Sequence, residues 1–414
     1  MTEENSALEA IYVARQPVFD TKMRVWGQEL LFRQSAQSAS ASVDDGDVAT
    51  SKVVVDGFGL AMEWLEQKQK ALINFPSSML LQGTPRVLPA EKAVVEILED
   101  VQPKQEILDI CKQLKAEGYI LALDDFVGNP GYEPLLQMAD LVKVDVLQLE
   151  PEQLKEISRE LSKYQCRLLA EKVEDAESFA LCKRLGFQLF QGFFFSRPQI
   201  LCGRKLSSNQ LSKLQLLKEL NKPDLDLAQI ADIIKGDVSL SYRLLLYINS
   251  PAIGLAFRIK SISQAVTLLG QIRIKAWLQV LIMADMATTP CTQELLFFSL
   301  QRAWFLEILA RKSDKLPMDP DSMFLLGLFS SLDALLSQPM QEILGKLSLQ
   351  PRIEEALLGR DDGLVPWLDL ARASERGHWE QTDAILQAAG IHPSTASLAQ
   401  NQATAWAKYF LNTT

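Results

Sequence analysis

Up to about Arg204, short β-branched and apolar runs alternate with stretches whose apolar residues recur at helical spacing. This is the signature of an α/β domain. The runs at 11–18, 25–32, 71–75, 94–98, 120–124, 141–146, 167–171 and 187–195 predict strands, and the stretches 48–68, 104–117, 151–164 and 176–185 predict helices between them. Eight strands alternating with helices suggest a closed barrel. Only Asp20 to Arg24 separates the first two strands. That connection is too short for a crossover helix, so the chain must reverse there in a hairpin. The expected fold is therefore a modified α/β TIM barrel with one antiparallel strand. The small, polar stretch 35–47 reads as a loop after the second strand.

Beyond Arg204 the pattern changes to Leu-rich helical periodicity almost to the end. Helices are expected over 206–221, 226–235, 239–248, 261–269, 272–286 and 292–312, with Gly236 and Gly270 as stops. A chain of 414 residues exceeds what one core organises. The expected division is a barrel domain at 1–204 and an all-α domain at 205–414.

Composition then narrows the function. The net charge of −10 argues against a nucleic-acid polymer as partner, although a local basic pocket can still hold a small nucleotide. The acidic start MTEENSALEA lacks the basic and apolar runs of a signal peptide, and apolar runs such as 276–287 are broken by Gln279 and Asp285. The expectation is a cytoplasmic protein with no membrane span. Five cysteines with no CxxC pair read as buried thiols, not as disulfides or a zinc site. There are only two histidines, His378 and His392, so a His-rich di-metal cage has too few ligands.

Polar residues fall repeatedly at strand ends. Glu29 lies in GQELLFR, Asn74 in LINFP, Glu96 in VVEILE, Asp124 and Asp125 in LALDDF, Lys143 in LVKVD, Glu171 in LLAEKVE and Gln191 in FQGFFF. A barrel gathers its strand C-termini on one rim, where such enzymes build their sites. Each residue alone reads equally well as a solvated terminus or an ion-pair partner, Lys143 with Asp145 for example. Together they form a carboxylate-rich cluster that needs a cation or protons for compensation. Oxygen ligands without His or Cys favour Mg2+, Mn2+ or Ca2+.

Across roughly 11–198 these motifs resemble the EAL family of cyclic-di-GMP phosphodiesterases. RQPVFD is similar to the family's opening QPIVD strand. ELLFR is similar to its EAL-x-R signature, with Leu30 in place of the small middle residue. LINF, VVEILE, DDF, VKVD, AEKVE and QGFFFSRP resemble the Asn-bearing strand, EITE, DDFG, KID, AEGVE and QGYxFxxP. The resemblance implies that Glu29, Asn74, Glu96 and Asp124 bind a first Mg2+ or Mn2+, with Asp125 helping a second and Ca2+ acting as an inhibitor. It further implies Glu171 as general base, Lys143 as stabiliser of the attacking water, Gln191 as support for metal or water, Arg33 as a phosphate contact, and pGpG as product.

The departures are specific. DDFVGNPGYEPL stands where DDFGTG and SSL are usual, with Glu99 left to anchor the loop, and Lys172 replaces the Gly of AEGVE. The region after Arg33 lacks the family's HP-containing substrate segment. DVSLSYRLLLYINSPAIGL and IKSISQAVTLLGQIRIKAWL in the second half resemble the HDOD domain, a relative of HD hydrolases, without its His-Asp dyad. That resemblance implies a non-catalytic helical domain with an unidentified protein partner, whereas the EAL resemblance implies dimer contacts at the loop after DDF and hence a homodimer. Two readings follow: a metal-dependent phosphodiesterase, or a barrel without turnover that senses the nucleotide and acts through the helical domain.

Overall fold

A computed structural model of the chain describes residues 12–33, 65, 69–128, 131–192, 208–222, 225–236, 238–249, 259, 261–313, 315–347 and 349–413. The loop expected at 35–47, all but one residue of the helix expected at 48–68, and most of QGFFFSRP lie outside the described residues.

Eight strands close into a barrel in the order β1 to β8: β1 Tyr12–Asp20, β2 Val25–Arg33, β3 Lys70–Phe75, β4 Ala93–Ile97, β5 Ile120–Leu123, β6 Leu141–Asp145, β7 Arg167–Glu171 and β8 Leu189–Phe190. β1 is antiparallel to both β2 and β8, and every other neighbouring pair is parallel. The reversal sits where the sequence places it. Asp20 closes the turn by accepting from the Lys22 and Arg24 amides at 2.8 and 3.0 Å. Between the strands lie α1 Ser77–Leu81, α2 Gln105–Ala116, α3 Glu133–Leu136, α4 Pro151–Leu161 and α5 Ala176–Arg184. α4 starts at a Glu150–Gln153 capping box and α5 at Asp175, whose side chain accepts from the Ser178 amide.

The barrel interior is layered. Val18, Leu72, Val94, Ala122, Leu141, Leu169 and Leu189 form one fully apolar cluster. Alternate residues on a strand share a face. On six strands the residue two positions past this plug is therefore also inward: Asn74, Glu96, Asp124, Lys143, Glu171 and Gln191. The plug fills the barrel with apolar side chains, and a polar layer lies above it.

The helical part runs α6 Ser208–Leu220, α7 Leu227–Lys235, α8 Val238–Ile248, α9 Ile262–Ala284, α10 Pro290–Lys312, α11 Pro320–Phe329, α12 Leu332–Leu336, α13 Met340–Leu344, α14 Pro351–Leu357, α15 Val365–Arg376, α16 Trp379–Ala389 and α17 Pro393–Thr413. Gly236 caps α7, and Gly270, at φ 76° and ψ 168°, breaks α9 where a stop is expected. By length and composition Ile262–Met286 is apolar enough to cross a bilayer, yet the Gly270 break interrupts it and most of its apolar residues are buried in the helical core. α11 presses its Gly327 backbone against Ala303 of α10, where a Cβ would come within 2.4 Å of the Ala303 nitrogen. The residues fall into two units, Met1–Arg197 with Arg372–Leu398, and Pro198–Ala371 with Ala399–Thr414.

Candidate active site

Lys143 is the hub of the polar layer. Its side chain is 1% exposed, and Nζ lies 2.7 Å from Asp124 Oδ1, 2.9 Å from Glu96 Oε1, 3.0 Å from Glu171 Oε1 and 3.3 Å from Glu29 Oε1. Four carboxylates, Glu29 from the middle of β2 and the others from the C-terminal ends of β4, β5 and β7, thus meet one buried ammonium. An ion cluster removed from water holds together only when charges are matched and oriented. Gln191 Nε2 donates to Glu29 Oε2 at 2.6 Å and to Gln16 Oε1 at 2.8 Å. Asn74 Nδ2 lies 3.4 Å from Glu29 Oε1 as a weak donor.

One cation against four carboxylates leaves negative charge in excess, and the protonation equilibria respond. Burial pushes the Glu29 carboxyl up, but Lys143 and the hydrogen bonds from Gln191, Lys143 and Asn74 hold it below the ordinary value. Burial drives Glu96 well above that value against the pull of Lys143, with the Glu29 and Asp124 charges adding. Asp124 is raised by the same burial and repulsion. Burial, opposed by Lys143 and reinforced by Asp124, Glu29 and Asp125, takes Glu171 to about 8. Burial disfavours the Lys143 ammonium, and the four carboxylates more than reverse this, so its pKa stands well above the usual lysine value.

The donor set fits a hard divalent cation. Asn74 Oδ1, Gln191 Oε1 and both Glu96 carboxylate oxygens are buried without a hydrogen-bond donor. Glu96 Oε1 is close to the ammonium but badly aligned with it, so its ion pair does not satisfy it as a hydrogen bond would. Beside them, one oxygen each of Asp124, Asp125 and Glu171 lie within 4.8 Å of one another. Every group is an oxygen donor, which suits Mg2+, Mn2+ or Ca2+ and not zinc.

Backbone strain concentrates at the same rim. Asp125 at φ 41° and Lys172 at φ 53° are left-handed non-glycine residues directly following Asp124 and Glu171. Such strain clusters at functional sites. It also explains why glycine is the natural occupant after the AE of AEKVE. The Lys172 ammonium is tied to Asp145 Oδ2 at 2.5 Å, so Asp145 pairs with Lys172 and not with Lys143. Gly192 is obligatory, because a Cβ there would come within 2.3 Å of the Val173 nitrogen.

Two family descriptions match this chain, the EAL domain over residues 78–198 and the HDOD domain over 210–348. Over 381 residues it is 37% identical to the uncharacterised protein YuxH of Bacillus subtilis strain 168, covering 89% of this chain and 92% of that one. The chain belongs to the EAL–HDOD family. It is also 34% identical over 372 residues to the cyclic di-GMP phosphodiesterase CdgJ of Vibrio cholerae serotype O1, covering 89% of this chain and 86% of CdgJ. A solved standalone EAL protein from Vibrio cholerae O395 in its c-di-GMP bound form is 25% identical, over 46% of this chain and 92% of that one, with a TM-score of 0.38.

Within this EAL–HDOD chain, the structure brings Glu29, Asn74, Glu96, Asp124, Lys143, Glu171 and Gln191 into one layer, with Asp125 beside Asp124 and Glu171. Arg33 ends β2, and its side chain lies outside the described residues. Glu99 meets the loop after Asp125 through its backbone: the Tyr132 hydroxyl donates to the Glu99 carbonyl at 2.9 Å, an interaction that any residue at 99 could accept.

Gln16 is the site residue that strand-end reasoning passes over. It pairs with Glu29 across β1 and β2, accepts from Gln191, and donates through Nε2 to the Arg376 carbonyl at 3.1 Å, within the same unit. A signal existed. β1 runs backwards, so its position in the polar layer is two residues before the plug residue Val18, not two after it.

Proposed function

We propose that the barrel is a divalent-metal-dependent phosphodiesterase that opens cyclic-di-GMP to linear pGpG. The observation carrying this reading is the set of buried oxygens without donors, on Asn74, Glu96 and Gln191, beside the Asp124, Asp125 and Glu171 carboxylates. Glu29, Asn74, Glu96 and Asp124 would hold one Mg2+ or Mn2+, and Asp125 would help hold a second. The bound cation supplies Lewis-acid polarisation of the phosphodiester and a more acidic attacking water.

The chain's own groups do the rest. Glu171 accepts the proton of the attacking water, whose oxygen bonds to phosphorus as the bond to the leaving 3′ oxygen breaks. That leaving oxygen takes up a proton, so one water is added overall. Lys143 sets the water and offsets charge developing on the phosphoryl oxygens. Gln191 holds Glu29 in place, and Arg33 meets a substrate phosphate. Ca2+ fits the same oxygens without supporting turnover. Cys111, Cys166, Cys182 and Cys291 form no disulfide among the described residues, which suits a cytoplasmic setting.

The test is incubation of the full chain with cyclic-di-GMP and Mg2+, Mn2+ or Ca2+ in turn, with pGpG followed by chromatography. Turnover with Mg2+ or Mn2+, lost by ~10³-fold in Glu29→Ala, is the expected result. A second reading, a barrel that binds the nucleotide without opening it and signals through the helical domain, is favoured by one feature: the Lys143 ammonium already contacts all four carboxylates. Nucleotide binding by calorimetry with no pGpG under any metal would establish it and end the first.

A further inference from the structure

We propose that the helical unit holds a small-molecule site of its own, a cavity of about 550 Å³ that takes a flat aromatic or heteroaromatic anion. Its volume falls in the range of ordinary ligand pockets, roughly 300–1,000 Å³. The proposal does not depend on what the barrel does.

The walls are aromatic and already arranged for stacking. Trp304 and Trp406 lie 4.7 Å apart at an interplanar angle of 6°, and Phe324 meets Trp406 edge-on at 6.2 Å. Tyr247 stacks on Trp277 at 6.0 Å. All five line the cavity, as do Phe410 and the apolar Leu269 and Val280. A planar ring entering such a space gains both apolar burial and offset stacking.

Two of the lining residues carry buried donors that lack an acceptor. Trp277 is 97% buried, from its 3% exposure, and its Nε1–H has no hydrogen-bond partner. Asn221 Nδ2 is likewise buried without an acceptor, while its Oδ1 is engaged by Gln279 Nε2 at 2.9 Å. Buried donors without partners are uncommon in folded proteins, and two lining one cavity point to a ligand oxygen or ring nitrogen.

Charge completes the specification. The lining carries Lys222, Arg273, Lys275 and Arg311 against Glu307 and Asp321. Glu307 is 2.6 Å from Arg311, with Asp321 3.9 Å from the same guanidinium, so these three largely satisfy one another. Lys222 pairs with Glu219. Arg273 forms no hydrogen bond or ion pair among the described residues, and Lys275 reaches only the Lys222 carbonyl, at 3.3 Å. Burial holds the Lys275 ammonium below its ordinary value, a penalty that a ligand anion would relieve. The positive surplus at the rim therefore selects an acid over a neutral or cationic ring.

The test uses the full-length protein and two fluorescent probes of nearly the same shape, anionic 1-anilinonaphthalene-8-sulfonate and uncharged N-phenyl-1-naphthylamine. The expected result is saturable one-to-one binding of the sulfonate, about tenfold tighter than the neutral probe. Arg273→Gln alters an exposed side chain and so leaves folding intact; it should weaken the sulfonate by roughly tenfold and leave the neutral probe unchanged. Trp277→Phe, which keeps an aromatic ring and deletes the donor, should weaken the sulfonate further. Equal affinity for both probes, non-saturable binding, or sulfonate affinity unchanged in Arg273→Gln would each overturn the proposal, whatever the fate of Trp277→Phe.

Discussion

The barrel and the helical unit collect polar groups by opposite means. In the barrel, each strand contributes one inward position above an apolar plug, and closure of the sheet brings those positions to one rim. In the helical unit, the groups around the cavity come from turns of five or more helices with no common position in any repeat. The first arrangement concentrates like charges and needs a cation to hold them. The second surrounds an apolar space and leaves donors over. The difference teaches that a site made by strand alternation is visible as a sequence rhythm, whereas one made by helix crossing is not.

The largest test of this contrast removes the cation at the barrel's hub. Lys143→Met leaves four buried carboxylates facing one another, so the variant should lose about 3–5 kcal/mol of stability, read from denaturant unfolding. A loss below 1 kcal/mol would mean that the carboxylates hold protons and that the hub is not an ion cluster.

The helical unit should break at a point of packing instead. Gly327→Ala drives a methyl group into the α10 backbone at Ala303 and should cost about 1–3 kcal/mol. Hydrogen exchange should place the loss in α10 and α11 and leave β3 to β7 protected. Spread of the loss into the barrel strands would show that the two units do not unfold separately.

A smaller effect is expected at the start of α11, where Asp319 caps the helix through the Ser322 amide and hydroxyl at 3.0 and 2.7 Å. Asp319→Ala should cost about 1 kcal/mol at neutral pH. Burial raises the Asp319 carboxyl, but those hydrogen bonds hold it below the ordinary carboxylate value. Its ionised form therefore contributes stability above the unfolded pKa of about 4, and that contribution is lost as pH falls through the folded value. The gap between the parent and Asp319→Ala should narrow as pH falls below the unfolded value of about 4, whereas the gap between Asp319→Asn and Asp319→Ala, neither of which titrates at this position, should not vary with pH.

The smallest effect concerns the strained rim. Lys172→Gly relieves a left-handed backbone, worth roughly 1–2 kcal/mol, but gives up a half-exposed ion pair with Asp145 worth up to about 1 kcal/mol. A net gain below ~1 kcal/mol in thermal unfolding is expected. A loss would show that Lys172 is retained for its hold on Asp145.

Much of this could be read without coordinates. Short apolar and β-branched runs alternating with helical stretches show the strands of the barrel, and the five residues from Asp20 to Arg24 force the reversal at β1, since no crossover fits in that length. The strand-end polar residues then follow, because successive side chains on a strand must alternate sides. Gly236 and Gly270 stop helices where expected, Gly270 through a φ of 76° that other residues avoid and Gly236 in ordinary right-handed geometry. What escaped the reading depends on direction or on distance. Gln16 enters the polar layer only because β1 runs backwards, and Glu99 supports the loop by a carbonyl that its side chain does not advertise.

The sequence by itself determined which residues would be available: a carboxylate, an amide or the Lys143 ammonium on seven of the eight strands, no histidine cage, and an acidic chain with helices of continuous apolar content. Only the tertiary structure decided who meets whom. It placed one ammonium among four carboxylates, sent Lys172 to Asp145, and left buried donors without acceptors on Trp277 and Asn221, two residues that line an aromatic cavity. The reason is physical: periodicity along a chain sets the side on which a residue lies, whereas pairing energies fall steeply with distances that only closure of the barrel and crossing of the helices establish.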